Sequence, residues 1–229
     1  MNLQGAVVVI TGSTSGLGKA LAEAFVRESA KVVISSRSKD EVNTVAATMS
    51  AYGTAADVTR EGDMQKLVGE VVKEFGRIDV WINNAGIWIP HGPIEDLDMA
   101  RVRQMVDVNL FGTMNGTKAV LPVMRKQNSG IIVNILSTSA LNGRAGSSAY
   151  CASKYGATGF TKSLQLEIQG SGVKAIAVYP GGMQTHLFDE KKPDDINQYM
   201  QPSFVAGKIL ENLKAGELQE ELIIKRPDA

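Results

Sequence analysis

Short, wholly apolar runs alternate along the chain with stretches whose apolar residues recur every three or four positions. Ala6-Val7-Val8-Val9-Ile10 is rich in β-branched residues, the pattern of a strand covered on both faces. Leu17, Ala20, Leu21, Ala24 and Phe25 then fall on one helix face. Val32-Val33-Ile34 returns to strand. Val42, Val45, Ala46 and Met49 predict a second helix, and Met64, Leu67, Val68, Val71, Val72 and Phe75 a third. Ile78 to Ile82 predicts a strand, Met99 to Lys126 one long helix and Ile131 to Leu136 another strand. A helix over Tyr150 to Ile168 precedes a strand over Val173 to Tyr179. Phe204 to Leu213 predicts a helix, and Leu222-Ile223-Ile224 a last strand.

Strands alternating with helices predict an α/β fold: an open, doubly wound parallel sheet with helices on both faces. No Pro/Gly/Ser linker, repeat or low-complexity tract divides the chain, so residues 1–229 read as a single domain. The least regular segment, Gly182 to Pro202, contains Asp189-Glu190-Lys191-Lys192-Pro193-Asp194-Asp195 and predicts a solvated flap near 183–202.

Composition narrows the function. Lysine plus arginine (24) equals aspartate plus glutamate (24), so formal net charge is zero, and no basic run suggests nucleic acid. No apolar stretch reaches the roughly 18 residues of a membrane helix. Met1-Asn2-Leu3-Gln4-Gly5 lacks the basic segment of a signal peptide. A cytoplasmic protein with neither nucleic-acid nor membrane partners is expected. Cys151 is the one cysteine, so no intramolecular disulfide forms, and no Cys/His cluster suggests a metal.

Gly12, Ser13, Thr14, Ser15, Gly16, Leu17 and Gly18 lie between the first strand and the first helix. Glycines let the backbone turn and let a phosphate approach, and the helix start offers free N–H groups. The spacing is Gly-x3-Gly-x-Gly, without the Lys-Ser/Thr of a P-loop, and its place in a strand–loop–helix unit predicts dinucleotide binding. About twenty residues on, an acid would accept hydrogen bonds from the ribose of NAD. Ser35-Ser36-Arg37-Ser38 stands there instead. Ser36 avoids a like-charge clash with a 2′-phosphate and Arg37 can pair with it, which favours NADP(H). Nearby Asp40 keeps NAD(H) open.

Tyr150-Cys151-Ala152-Ser153-Lys154 puts a phenol and an ammonium group on one helix face. A nearby cation stabilises phenolate, so such a tyrosine can exchange a proton with a carbonyl or alcohol oxygen. Ser137, at the end of the preceding strand, can hold that oxygen.

With these residues the chain resembles the classical branch of the short-chain dehydrogenase/reductase family. The matching pieces run in family order: the Thr11–Gly18 loop, Asp57-Val58, Asn83-Asn84-Ala85-Gly86, Asn109, Ser137, Tyr150-x3-Lys154, and Pro180-Gly181 followed by Thr185. The resemblance implies about seven parallel strands in a Rossmann-type sheet and a nicotinamide cofactor. It implies Tyr150 as general acid/base, Ser137 orienting the substrate oxygen, Lys154 holding the nicotinamide ribose and lowering the phenol pKa, and Asn109 anchoring a water in a proton relay. Asp57 and Val58 would meet the adenine, Asn83 to Gly86 would line the cofactor, Pro180 and Gly181 would flank it, and Thr185 would reach the carboxamide. The expected reaction is NADPH-dependent reduction of a small-molecule carbonyl, or alcohol oxidation in reverse. The resemblance also implies a homodimer or homotetramer.

Trp88, Leu141, Met183, Leu187 and Phe188 offer an apolar substrate pocket, or else plain packing beneath the flap. Asn142 and Arg144 could touch a polar substrate or simply form a surface turn. His91 and His186 read as solvated loop residues, and Cys151 as a structural thiol. The segment before Tyr150, Gly146-Ser147-Ser148-Ala149, lacks the glutamine and asparagine expected in bacterial 3-oxoacyl-carrier-protein reductases, which weighs against an acyl thioester while keeping it as an alternative substrate. A non-catalytic dinucleotide sensor would have no reason to keep Asn109, Ser137, Tyr150 and Lys154 together. An extended epimerase would need a larger C-terminal region.

Overall fold

A computed structural model describes residues 1–90 and 92–226. Seven strands form one parallel sheet: β1 (Val7–Thr11), β2 (Lys31–Ser36), β3 (Tyr52–Ala55), β4 (Val80–Asn83), β5 (Gly130–Ile135), β6 (Val173–Pro180) and β7 (Glu221–Ile224). Their order is β3-β2-β1-β4-β5-β6-β7. The connections therefore reverse direction between β1 and β4, and the crevice beyond their carboxyl ends is the place where such sheets bind ligands.

Alternation along each strand divides the core. Val8 and Ile10 face one side, with Ile34, Ile82 and Val178. They are covered there by α1 (Gly16–Arg27), α2 (Lys39–Met49) and α7 (Pro202–Lys214). Val7, Val9, Trp81 and Ile132 face the other side, under α3 (Glu61–Phe75), α5 (Gly112–Gln127) and α6 (Ser148–Glu167). Each such fully buried aliphatic contributes about 1.5–3 kcal/mol. That rigid base fixes where the strand ends, and hence the functional loops, project.

Two elements depart from the sequence reading. Tyr52–Ala55 is an edge strand that the pattern did not predict; it aligns with Val33 to Ser36 of β2. The long helix expected over Met99 to Lys126 is interrupted. α4 (Met99–Val106) passes into a π-helical turn, Asp107–Phe111, before α5 begins. The Asn109 amide lies in that turn and bonds outside the helix, which favours the extra residue there.

Segment 183–202 is less irregular than expected. Met183 and Met200 pair across its base, short helical turns form at His186–Phe188 and Ile196–Gln198, and the Gln184 amide donates to the carbonyls of Asn197 and Tyr199. No helix among the described residues is long and apolar enough to cross a membrane.

Candidate active site

A cleft of about 570 Å³ lies at the carboxyl ends of the strands. The glycine loop forms its floor. Gly12 has φ +63°, and a Cβ there would sit 2.8 Å from Ala85 Cα. A Cβ on Gly18 would strike the Gly12 carbonyl oxygen. Asn84 clamps the loop to the end of β4, its Nδ2 donating to the carbonyls of Thr11 (2.9 Å) and Gly12 (3.0 Å). Ser15 precedes α1 without making a side-chain cap. The first-turn N–H groups therefore face the cleft, alongside Thr14, Gly16 and Leu17. Close-packed glycines and an open helix start fit a dinucleotide pyrophosphate.

Ser36, Arg37, Asp57, Val58, Ala85, Gly86, Pro180, Gly181 and Thr185 also line the cleft, as the sequence reading expected. Four of the residues considered lie elsewhere. Ser13 faces away: it is wholly buried, and its hydroxyl donates to the Ile10 carbonyl and accepts from the Ser35 N–H, tying β1 to β2. Asn83 is also behind the cleft. Its amide joins Trp81 Nε1, Thr117 and Asn134 in a buried network between β4, β5 and α5. Leu141 packs beside Leu136, Ala140 and Tyr179 instead of lining the cavity. Asp40 does not line the cleft; its neighbour Glu41 does, and it accepts a 3.0 Å hydrogen bond from the Thr14 hydroxyl. The sequence reading missed Glu41 because its approach depends on how α2 docks.

The reactive constellation converges on the opposite side of the cleft. Ser137 lies two residues beyond β5, and Tyr150 and Lys154 project from α6; all three line the same space. The Ser137 and Tyr150 hydroxyls share a hydrogen bond. The Tyr150 ring packs against Ile89, Met105 and Ala149. That burial pushes the phenol up to about 12, outweighing the Ser137 bond, which acts downward. Lys154 is buried, and burial draws its ammonium group down to about 8. Its Nζ donates to the Ile135 carbonyl at 3.0 Å and lies 5.9 Å from the Tyr150 ring centroid. It thus stands beside the phenol ring, anchored to the end of β5. Burial therefore holds the phenol above its ordinary value, the opposite direction from the lowering that the resemblance implies for Lys154.

Asn109 lies just behind this group. Its Oδ1 accepts from the Ile87 N–H and its Nδ2 donates to the Ile87 carbonyl, both at 2.9 Å. The same Nδ2 reaches Ser153 Oγ at 3.2 Å. A Cβ on Gly86 would lie 3.3 Å from Asn109 Oδ1 and 3.8 Å from Lys154 Nζ. The π-helical turn therefore holds the strand β4 exit loop against α6. Sequence pattern gave no sign of that bracing.

Trp88 and Met183 line the cleft, and Phe188 lines a chamber beyond Ser137 and Tyr150. His186 is exposed at the rim, its Nδ1 2.9 Å from an Asp189 oxygen. His91 lies outside the described residues. Cys151 is buried.

A parallel sheet with a glycine-floored crevice at its switch point defines a dinucleotide-binding α/β protein. The family model for short chain dehydrogenases matches residues 6–196. The chain is 38% identical over 189 residues to L-fucose dehydrogenase of Bos taurus, covering 81% of this chain and 69% of that one. It is 35% identical over 204 residues to the 3-oxoacyl-[acyl-carrier-protein] reductase of Thermotoga maritima, covering 85% and 80%. The crystal structure of a 3-ketoacyl-(acyl-carrier-protein) reductase from Brucella melitensis, complexed with NADH, superposes with TM-score 0.90 at 26% identity, covering 98% of each chain. The chain belongs to the short-chain dehydrogenase/reductase family. It is an oxidoreductase of the type that uses nicotinamide cofactors and acts on alcohol or carbonyl groups.

Proposed function

We propose that this protein is an NADP(H)-preferring carbonyl reductase, and alcohol dehydrogenase in reverse, with Tyr150 as its general acid/base. The observation that carries this reading is the convergence of Ser137, Tyr150 and Lys154 on the cleft floored by the glycine loop. A bound nicotinamide supplies or accepts the hydride. Ser137 and Tyr150 hold the carbonyl oxygen through their hydroxyls, and the Tyr150 hydroxyl passes its proton to that oxygen as the C–O bond is reduced. Lys154 holds the nicotinamide ribose, and its ammonium charge steadies the phenolate left behind. A phenol is protonated at neutral pH, the form that serves reduction, and burial raises the Tyr150 value further. Asn109 braces the Ile87 backbone and so keeps the cleft wall in place.

Ser36 and Arg37 support a 2′-phosphate, while Glu41 tempers that preference and leaves NAD(H) usable. Segment 183–202 acts as the substrate flap of a single domain. The Arg101–Glu190 ion pair, from α4 to that segment, holds it beside the cleft. Exposed Phe111, Tyr155 and Leu166 support a homodimer or homotetramer. A cytoplasmic location fits the reading. The test is a panel of aldehydes and ketones with NADPH and NADH, followed by loss of nicotinamide absorbance. Turnover faster with NADPH supports the proposal; no oxidation of either cofactor with any carbonyl refutes it.

A further inference from the structure

Beyond Ser137 and Tyr150 the cleft opens into a second chamber of about 240 Å³. This lies below the ~300 Å³ at which ordinary small-molecule pockets begin, so its occupant is compact. One wall is aromatic. Trp88 and Phe188 meet edge to face at 5.3 Å between centroids, and Phe188 and Tyr199 at 5.8 Å. The far end is charged, with Arg144, Asp195 and Arg226.

The charges there are unevenly answered. Arg226 lies 3.9 Å from Asp195, donates to the backbone and side-chain oxygens of Gln198, and covers the Tyr199 ring. Asp195 also engages the Tyr199 hydroxyl. Arg144 bonds that same hydroxyl, and among the described residues it forms no ion pair with a carboxylate. Among the described residues, two guanidinium groups and one carboxylate line the chamber, a surplus of one positive charge. Arg144 stands in the turn that launches α6, where the Ser147 N–H bonds the Arg144 carbonyl at 3.0 Å. The turn that sets the start of the Tyr150 helix thus also sets Arg144.

We propose that this chamber recognises the remote end of an acidic substrate: a compact oxo acid, or the matching hydroxy acid in reverse. Its carboxylate pairs with Arg144 while its carbon chain lies against Trp88 and Phe188. A planar carboxylate suits a guanidinium fork. A single negative charge matches the surplus in the chamber, whereas a phosphate monoester would overfill it. Arg144 is exposed at the chamber mouth, where its guanidinium is free to meet an incoming carboxylate, and a neutral substrate gains nothing from it. The proposal rests on the oxidoreductase reading and adds the substrate class.

The test pairs a homologous series of short-chain oxo acids with their methyl esters. Each pair is assayed with NADPH and NADH on the wild type, Arg144→Gln and Arg144→Lys. The wild type is expected to prefer an acid over its ester by about 10- to 100-fold in kcat/KM, the worth of a charge-assisted hydrogen bond. Arg144→Gln collapses that ratio toward one, mainly through KM, and Arg144→Lys keeps part of it. A wild-type ratio near one, or a ratio that survives Arg144→Gln, overturns the subsite and leaves the oxidoreductase reading standing. If no acid, ester or neutral carbonyl is turned over, the oxidoreductase reading fails. Acid and ester affinities for the cofactor-loaded protein, read by tryptophan fluorescence, then decide the subsite alone. Tighter, Arg144-dependent binding of the acids supports it, and equal affinities overturn it.

Discussion

The Thr14 hydroxyl donates a 3.0 Å hydrogen bond to the Glu41 carboxylate, joining the glycine loop to the first turn of α2. That carboxylate shares the cleft with Ser36 and Arg37, the residues proposed to meet a ribose 2′-substituent. Arg37→Asp is expected to lower the NADPH-to-NADH ratio of kcat/KM by about 10-fold or more, as loss of one charge-assisted bond implies. Glu41→Gln is expected to move the ratio the other way. Steady-state kinetics with both cofactors check this; a ratio unmoved by either change removes these residues from cofactor selection.

Gly18 is the tightest point of the glycine loop. A Cβ there would meet backbone, the Gly12 carbonyl, and lie 2.5 Å from Asn84 Nδ2. Backbone cannot swing away as a side-chain end can. Gly18→Ala is therefore expected to displace the loop and weaken dinucleotide binding at least about 10-fold, or roughly 1.4 kcal/mol. Calorimetric titration of cofactor reads this directly, and an unchanged Kd would contradict the packing.

Asn109 satisfies both backbone groups of Ile87 from inside the π-helical turn. Asn109→Ala leaves a partly buried N–H and C=O without that partner. The expected cost is about 2 kcal/mol, which lowers Tm by roughly 4–8 °C for a chain of this size. Turnover should fall as well, because Gly86 packs between the Asn109 amide and the Lys154 ammonium group. Thermal unfolding with parallel kcat measurements tests this; a variant with wild-type Tm would show that the bracing is dispensable.

The two buried titratable groups set opposite pH slopes. Lys154 falls from its ordinary 10.5 to about 8, so between those values the unfolded chain binds more protons and stability rises with pH. Tyr150 rises from 10.0 to about 12, so the stability it contributes is whole below pH 10 and is lost as pH climbs through 12. Urea unfolding across pH 7–10 should show rising stability in the wild type and a flatter curve in Lys154→Met. In activity, carbonyl reduction should decline on the alkaline side as the phenol ionises, while alcohol oxidation increases. Parallel slopes in the two directions would contradict Tyr150 as the titrating group.

The main architecture was legible because buried parallel strands are written as short β-branched runs, as at Val7–Thr11 and Val173–Pro180. Tyr52–Ala55 was not, because Tyr-Gly-Thr-Ala carries no such run and becomes a strand only through pairing with β2. The π-helical turn escaped notice because apolar spacing continues through it. Motif residues such as Gly12, Tyr150 and Lys154 could be placed on the cleft from local order alone. Residues whose role depends on remote packing could not. Glu41 reaches the cleft through the docking of α2, and Tyr199 and Arg226 reach the second chamber from distant parts of the chain. Ser13 and Asn83 lie in the right segments yet turn inward to satisfy buried polar groups.

The central claim is that the Tyr150 hydroxyl moves the proton. Tyr150→Phe keeps the ring and its packing and deletes only that oxygen. Cofactor affinity by titration should stay within about 3-fold of wild type, while single-turnover hydride transfer to a competent carbonyl falls about 100- to 10,000-fold. Hydride transfer near the wild-type rate in this variant, with cofactor bound, would contradict the account.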